Sequence, residues 1–557
     1  MLPRHRDRRF DILELVGGRR VPPAMGWDRH FPLARVMTAD LSARSFRLDG
    51  VPASLDAPDA GDHGPRPFLL ALAAQVEPLV IVDAAMPDAR LRGLALAMLY
   101  PVLQPGGVYV LEGAAPPGQT VVAGEALAAL GRLAAPPRAG ATDAEAPSDP
   151  PGRFETFLRA TAHSAVFRRR AIMIRKRQAA GAQRLPAKLP IRSLDEAEPG
   201  TRAFDNGGSY ARIRPNIFDM AEPLAAKMQA MLERRLVEPP PARAARLRNC
   251  LVLEDGVVVP EAGSVIRESL INQHSAHRFA GLYRPELEAP FAVLEAPPNP
   301  TTLPDGETHV LLKQRWDSNY GHWLIESLPR MAMVRELADP AGCRFLVRQP
   351  VSAQMRAVCL DSLALFGVTA GQVDFVGNEA LAIPNLIYPA PLTVQPWIKA
   401  PLAIRTLEAL AGLVQGAVPP EPQRIYVSRN RYQNSRRRLL NEADLLRLLL
   451  ARGYRVIEPE TLSLREQIAT FAAAGTVIGN LGAALSNLVF SPPGVRVFGL
   501  TNGRMMDNFF YDIVCHKRGE YWSLHGRAAT PARGMQSDFT IDLARFAALL
   551  DAFEAGG

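Results

Sequence analysis

The stretch that decides the fold class is TVIGNLGAALSN, from Thr476 to Asn487. It begins with a short apolar run typical of a buried strand and passes into glycine and alanine residues that open a predicted helix. A strand that runs into small residues at a helix N-terminus exposes backbone amides at the positive end of that helix, which suits an anion. The stretch therefore predicts an α/β protein with an anion site at the carboxyl edge of a sheet.

The segments before this stretch continue the alternation of strands and helices. Gln423–Arg429 is a predicted strand, followed by the basic run Arg436–Arg438 and a helix that opens at Asn441. Ser463 and Glu466 have the spacing of a capping box at the start of the next helix. Arg429 ends its strand where open sheets bind ligands, and guanidinium groups match the oxygens of a diphosphate. A basic surface loop is the alternative interpretation of these arginines.

A second polar cluster is NYGHWLIESLPR, from Asn319 to Arg330. His322 and Glu326 are four residues apart, so on a helix they share one face, and apolar neighbours would partly desolvate them. Such a pair can take a proton from a hydroxyl group. The alternatives are a solvated or buried pair without a catalytic role, and a metal site, which is disfavoured because no third ligand is nearby.

The first third of the chain alternates short apolar runs with a helix, a pattern typical of an open parallel sheet. The predicted strands are Asp11–Val16, Ala34–Ala39, Pro78–Val82 and Val108–Leu111, with a helix over Ala89–Leu103 and a closing strand pair over Ser164–Lys176.

The composition is that of an ordinary globular chain, with 557 residues, 48% hydrophobic and 22% charged. This length predicts two to four folding units. The formal net charge of +8 falls in short local clusters, and no nucleic-acid module accompanies it, so nucleic acid is not an expected partner. The four cysteines lack paired or metal-ligand spacing, and no apolar run predicts a membrane span. We expect a cytoplasmic protein, with peripheral association at the inner face of the membrane as an open alternative.

The C-terminal motifs, in this order, closely resemble glycosyltransferase family 61. The matching segments are Asn319–Glu326, Tyr426–Arg429, Arg437–Glu442, Leu462–Gln467 and Ile478–Asn487. The resemblance implies an inverting transferase of GT-B-like fold, with two Rossmann-type lobes, that moves a sugar from a nucleotide-sugar donor to a glycan or lipid-linked glycan. One departure is Leu481, which stands where the family has a histidine.

The resemblance also implies roles for single residues. His322 and Glu326 are the expected catalytic residues, with one of them as the base, and Asn319, Tyr320 and Trp323 are expected on the acceptor side. The expected donor-binding residues are Arg429, Arg437, Arg438, Asn441, Glu466, Gly482, Ala483 and Asn487. No metal is expected, because no D-x-D motif stands in a fitting strand-end context. No cofactor is expected either, since the nucleotide sugar is a substrate.

The first third resembles class I S-adenosylmethionine-dependent methyltransferases. The motifs that carry this resemblance are ILELVGG from Ile12, LVIVD from Leu79 and LQPGGVYVLE from Leu103. The loop after Glu14 lacks the spaced glycines of that family, so we expect a degenerate domain that does not use S-adenosylmethionine. A vestigial cofactor site would comprise Glu14, Gly17, Gly18, Asp40 and Asp83.

The predicted fold class is thus α/β, with a Rossmann-like methyltransferase-type domain followed by a GT-B-like glycosyltransferase. The predicted domain ranges are 1–178 for the first domain, 179–200 for a linker, 201–397 for an acceptor lobe, and 398–557 for a donor-nucleotide lobe with the C-terminal helix. The expected pathway is capsular, exopolysaccharide or lipopolysaccharide synthesis. A bifunctional methyltransferase and glycosyltransferase is one alternative, and a non-catalytic protein that binds sugar nucleotides or glycans is another.

Overall fold

A computed structural model gives the structure of the chain in two compact units. One unit comprises Met1–Ser193 and Val258–Thr301, and the other comprises Leu194–Val257 and Thr302–Gly557. Both are mixed α/β. The described residues are 9–16, 31, 33–48, 51–53, 65–84, 88–112, 154, 157–158, 161–168, 171–176, 188–271, 278–287, 289–295, 299–414, 423–429 and 436–556.

An eight-stranded sheet forms most of the first unit. Its four inner strands are parallel, and the two strands at one edge form the antiparallel closing pair that the sequence predicts. The helices Pro65–Gln75 and Ala89–Leu99 belong to this unit, and Asp88 caps the second with its side chain. In spatial order the strands are Val51–Ala53, Ser45–Leu48, Ala34–Asp40, Phe10–Val16, Val80–Asp83, Val108–Glu112, Ala171–Lys176 and Ala162–Arg168.

A smaller five-stranded sheet belongs to the same unit and involves the predicted linker. Within 179–200 the chain forms the strand Lys188–Arg192 and, in the second unit, the helical turn Leu194–Ala197. Lys188–Arg192 pairs with a strand just over 100 residues later in the chain, which local sequence patterns do not reveal. In spatial order the strands are Val265–Ile266, Lys188–Arg192, Phe291–Leu294, Leu282–Tyr283 and Arg278–Phe279, and a 3₁₀ turn follows at Arg267–Ser269.

The second unit contains two larger sheets. In the first, four parallel strands are extended at one edge by antiparallel strands. The main path of this sheet is Arg202–Phe204, Ala242–Leu253, Leu381–Pro389, Thr308–Leu311, Cys343–Arg348 and Val373–Val376. The short strands Val257–Val259 and Thr301–Thr302 contain the positions along the chain at which it passes from one unit to the other.

The second sheet is parallel along its main path. Its edge strand, Asn216–Phe218, comes from a part of the chain far from the other members, and Phe539–Thr540 pairs antiparallel with Glu520–Ala528. The path is Asn216–Phe218, Glu520–Ala528, Arg496–Asn502, Ala474–Asn480, Gln423–Val427 and Arg455–Ile457. Two-stranded ribbons join Tyr210–Ala211 to Leu236–Val237 and Thr393–Val394 to Ile398–Lys399.

Helices cover both sheets of the second unit. The capping box predicted for Ser463 and Glu466 is confirmed at the start of Leu464–Ala472. The α-helices are Leu194–Ala197, Leu224–Glu233, Tyr320–His322, Met331–Leu337, Ala353–Ala364, Pro401–Val414, Glu442–Ala451, Leu464–Ala472, Phe509–His516 and Leu543–Ala555. A π-helix covers Trp323–Ser327, and 3₁₀ helices cover Leu328–Arg330, Pro340–Gly342, Ala370–Gln372, Pro459–Thr461, Ala483–Phe490 and Pro531–Gln536.

One buried apolar core joins the two sheets of the second unit. It contains Trp323 and Phe345 from the side of the first sheet, and Val477 and Phe510 from the side of the second. The C-terminal helix packs on the other face of the second sheet, where Phe553 lies 5.4 Å from Phe498 between ring centroids. Because this packing is continuous, loops that leave the two sheets are held in fixed relation to each other. In the ranges described above, no helix combines the length and the apolar character needed to cross a bilayer.

Candidate active site

A pocket lies where the strand order of the second sheet reverses. Taken in chain order from Gln423–Val427, the strands of this sheet have the spatial order 2-1-3-4-5, so the reversal lies between Gln423–Val427 and Ala474–Asn480. Open parallel sheets bind ligands outside the carboxyl ends of the strands at such a point. Residues that line the pocket include Ser428, Arg429, Asn480, Gly482 and Ala483 at these strand ends, and Asn319, Tyr320, Met355, Val358, Pro459, Glu460 and Gln467 around them.

Arg429 and Gly482 lie against each other in this pocket. A Cβ atom at residue 482 would overlap the guanidinium group of Arg429, so the position of this side chain depends on a glycine at residue 482. Gly482 is also the N-cap residue of the 3₁₀ helix Ala483–Phe490. The cation and the helix N-terminus therefore lie together, as the sequence predicts for residues that bind an anion.

Arg437 carries a second guanidinium group within electrostatic range of Arg429. Burial, and to a smaller extent the positive charge of Arg429, lower the pKa of Arg437 to about 10. Its backbone is left-handed, with φ of 66°, and its Nη1 atom lies 3.1 Å from the sulfur of Met505. The Nε atom is buried and has no hydrogen-bond partner among the described residues. Arg429 and Arg437 thus concentrate positive charge, and the Nε atom of Arg437 has no hydrogen-bond partner among the described residues. A dianionic ligand would stabilise such a pair of guanidinium groups.

The predicted pair of His322 and Glu326 lies at the reversal point of the first sheet. There the parallel strands have the order 4-1-2-3, and the order reverses between Thr308–Leu311 and Leu381–Pro389. The loop after the first of these strands leads to His322, and the loop after the second leads to Gln395, whose amide nitrogen lies 3.5 Å from Nδ1 of His322. The two sheets thus each present polar residues at the position where α/β sheets bind ligands.

His322 and Glu326 form a hydrogen-bonded pair in which only the histidine reaches solvent. Nδ1 of His322 lies 3.0 Å from Oε1 of Glu326, with the two side chains 21% and 1% exposed. Oε2 of Glu326 accepts a hydrogen bond from Nε2 of Gln314 at 3.1 Å. Because a carboxylate only accepts, it holds the proton of a neutral imidazole on Nδ1 and leaves Nε2 as the acceptor. Trp316 and Phe509 flank the ring.

A buried hydrogen-bond network joins the loop of His322 to the second sheet. The hydroxyl group of Tyr320 donates to Oδ1 of Asn487 at 2.6 Å, and Nδ2 of Asn487 donates to Oε1 of Gln467 at 2.9 Å. Burial raises the pKa of Tyr320, so its hydroxyl stays a donor. A Cβ atom at residue 321 would lie 2.6 Å from Oγ of Ser486, which shows how closely the two segments pack. Asn487 therefore does not line the pocket but holds two residues that do, Tyr320 and Gln467.

Tyr320→Phe should lower the stability of the second unit by about 1–3 kcal/mol, because Oδ1 of the buried Asn487 loses its donor. Thermal unfolding followed by calorimetry measures this as a lower Tm. The matched control is Tyr109→Phe in the first unit, since the buried hydroxyl of Tyr109 has no hydrogen-bond partner among the described residues. That variant should keep or raise its Tm. Equal effects of the two variants would contradict the role of the Tyr320 hydroxyl.

Four predicted site residues lie elsewhere. Trp323 is buried in the core and donates through Nε1 to Oγ of Ser362 at 3.0 Å, so its ring does not face an acceptor. The other three make structural contacts near the surface. Arg438 forms an ion pair with Asp538, and Asn441 donates to the carbonyl of Ile541. The side chain of Glu466 accepts from the backbone amide of Ser463 in the capping box.

Leu481, the departure from the family motif, points away from the pocket. Its side chain is 1% exposed and belongs to the core between the sheets. A Cβ atom at residue 499 would lie 2.6 Å from Cδ2 of Leu481, so the side chain fills the space above Gly499. Asn480, one residue earlier, is the side chain that lines the pocket.

Several residues of the site were missed by the sequence interpretation. Gln314, Gln395 and Asn480 are polar residues in loops or at a strand end, and nothing in their local pattern distinguishes them from solvated side chains. Gln467 lay inside a recognised motif, and its place on the buried face of Leu464–Ala472 was the signal that could have identified it.

The predicted vestigial site in the first unit is occupied by internal contacts. Asp40 accepts hydrogen bonds from the backbone of Ser42 at 2.9 Å and Ala43 at 3.0 Å. Asp83 is fully buried and pairs with Arg92 at 3.1 Å. Glu14 is buried within its strand, and Gly17 and Gly18 lie outside the described residues. The two aspartates thus have partners within the protein.

A family model matches part of the sequence of the second unit. Residues 320–498, which include the pair of His322 and Glu326 and most of the pocket lining, match the model described as Glycosyltransferase 61. The chain contains a glycosyltransferase family 61 domain. Of the four strands between which the order of the two sheets reverses, three lie within the matched residues: Leu381–Pro389, Gln423–Val427 and Ala474–Asn480. The fourth, Thr308–Leu311, precedes them.

Comparison with solved structures finds methyltransferases. The MycE methyltransferase of the mycinamycin biosynthetic pathway, in complex with Mg and SAH, is 16% identical in one crystal form and 17% in another, each with a TM-score of 0.22. In both comparisons the match covers 32% of this chain and 47% of the methyltransferase chain. This chain therefore spans about half the length of the methyltransferase. A TM-score this low does not define a shared fold. No curated protein matches this chain.

Proposed function

We propose that the second unit is an inverting glycosyltransferase that moves a sugar from a nucleotide-sugar donor to a glycan or lipid-linked glycan acceptor. The observation that carries the proposal is the pairing of two functional groups in one unit: a cationic pocket at the reversal point of one sheet, and a carboxylate-oriented histidine at that of the other. Two Rossmann-type lobes with a site between them, a GT-B-like arrangement, agree with these positions.

Donor binding would rest on the cationic end of the pocket. Arg429 and Arg437 would hold the diphosphate, and the backbone amides after Gly482 would add donors at a helix N-terminus. Positive charge at this point stabilises the nucleotide diphosphate as it departs, which is the task that a divalent cation performs in other sites. The proposed reaction therefore needs no metal and no further cofactor.

The acceptor hydroxyl group would be deprotonated by His322. Between the two candidate bases, the structure favours the histidine, because Glu326 is 1% exposed and both of its oxygens bind neighbours. Glu326 would keep Nε2 of the imidazole free to accept the proton and would stabilise the imidazolium that forms. We further propose that the product enters capsular, exopolysaccharide or lipopolysaccharide synthesis in the cytoplasm, at the inner face of the membrane.

The test is turnover of a panel of nucleotide sugars by the full chain, with release of nucleotide and the product mass as readouts. Arg437→Gln should weaken donor binding at least about tenfold, since a charge-assisted contact to phosphate is lost. Arg447→Gln is the matched control, because Arg447 is 78% exposed and pairs with Asp444 on a surface helix. If the chain neither binds nor turns over any nucleotide sugar of the panel, the proposal is refuted.

A further inference from the structure

Asn480 is a buried amide in the pocket whose polar atoms have no partner in the part of the chain that the structure describes. The residue is 3% exposed, lines the pocket, and neither Nδ2 nor Oδ1 has a hydrogen-bond partner among the described residues. A buried amide left without hydrogen bonds costs stability, so its retention needs an explanation. A ligand in the pocket would supply the missing partners.

The chemistry of an amide restricts what that ligand presents. Nδ2 donates and Oδ1 accepts, so the complementary group must both accept and donate. A phosphate only accepts and would leave Oδ1 facing negative charge. A pair of hydroxyl groups satisfies both atoms.

Glu460 lines the same pocket and strengthens this restriction. Its Oε1 atom is buried and has no hydrogen-bond partner among the described residues. A carboxylate repels phosphate but accepts from hydroxyl groups, as acidic residues do when they bind ribose in dinucleotide folds. The guanidinium group of Arg429 therefore suits a phosphate, whereas Asn480 and Glu460 in the same pocket suit hydroxyl groups.

We propose that Asn480, together with Glu460, binds a vicinal diol of the nucleotide-sugar donor and so determines which donors the pocket accepts. This inference rests on the proposed function. The diol belongs either to the ribose or to the transferred sugar, which offer the same chemistry.

Calorimetry on the full chain tests the inference with defined probes: UDP, GDP, their 2′-deoxy counterparts, UDP-glucose, GDP-mannose and inorganic pyrophosphate. Asn480→Leu is close to the native side chain in size and removes both polar atoms. We expect at least tenfold weaker binding of the ribonucleotide or its sugar conjugate and unchanged binding of pyrophosphate. We also expect an equal or higher Tm without ligand, because a buried unsatisfied amide is removed. A merely structural asparagine would instead lower the Tm.

The probes separate the two sources of the diol. If it is ribose, wild-type chain should lose affinity for the 2′-deoxy nucleotide and the variant should not distinguish the two nucleotides. If it is the transferred sugar, the variant should lose only the extra affinity of the sugar conjugate over the diphosphate. Glu460→Gln, at a partly exposed position, provides a second variant and should weaken the same probes.

Two results would overturn the inference alone: equal affinity of wild type and both variants, or equal weakening of pyrophosphate and nucleotide. If wild-type chain binds none of the nucleotides or sugar conjugates, the inference and the proposed function both fail.

Discussion

His322→Ala should lower kcat about 10²–10⁴-fold, the contribution typical of a general base, and leave donor affinity nearly unchanged. The expectation follows from the geometry: the 3.0 Å contact between Nδ1 and Glu326 leaves Nε2 as the acceptor for a proton. His322 is not among the lining residues of the pocket that we propose as the nucleotide site, so donor binding should persist. Nucleotide release under saturating donor and acceptor measures the effect.

Two further variants make the result specific. Glu326→Gln keeps the size of the side chain but can donate to Nδ1, which favours the wrong tautomer and should also lower kcat. His163→Ala removes an exposed histidine of the first unit and should leave kcat unchanged. Normal turnover by His322→Ala with its fold retained would contradict the role of this residue as base.

The succession of many strands and helices along the chain was predictable because its sequence signals are local. The apolar runs, the capping box at Ser463 and the closing strand pair of the first unit are each encoded within about 15 residues. The joining of Asn216–Phe218 to the second sheet was not predictable, because its partner, Glu520–Ala528, lies some 300 residues away. Only the packing of whole sheets selects such a partner.

The same distinction applies to the candidate site. The spacing of His322 and Glu326 predicted their contact correctly, although the segment after His322 is a π-helix, a form that often occurs at functional sites. Arg438 and Arg437 are adjacent in sequence, yet the left-handed backbone of Arg437 directs their side chains to different places. Residue type and spacing thus identify candidates, and backbone conformation decides which of them converge.

Gly482→Ala should weaken donor binding at least about tenfold without unfolding the domain. The φ of Gly482 is −174°, an extended conformation that alanine also adopts, so the backbone itself is not strained. The new Cβ atom would instead overlap the guanidinium group of Arg429 and displace it from the proposed phosphate position. Because the displaced atoms are the end of a flexible side chain, the Tm should change little, while calorimetry with the nucleotide sugar that binds wild type should show the loss.

Gly412→Ala is the matched control for this substitution. Gly412 lies in the helix Pro401–Val414, and a Cβ atom there would have no neighbour within 4 Å. Alanine in a helix interior is favoured over glycine by about 0.5–1 kcal/mol, so this variant should be slightly more stable and should bind donor as wild type does. If Gly482→Ala also binds donor like wild type, Arg429 does not hold the diphosphate, and the cationic end of the pocket must act through Arg437 and the backbone amides alone.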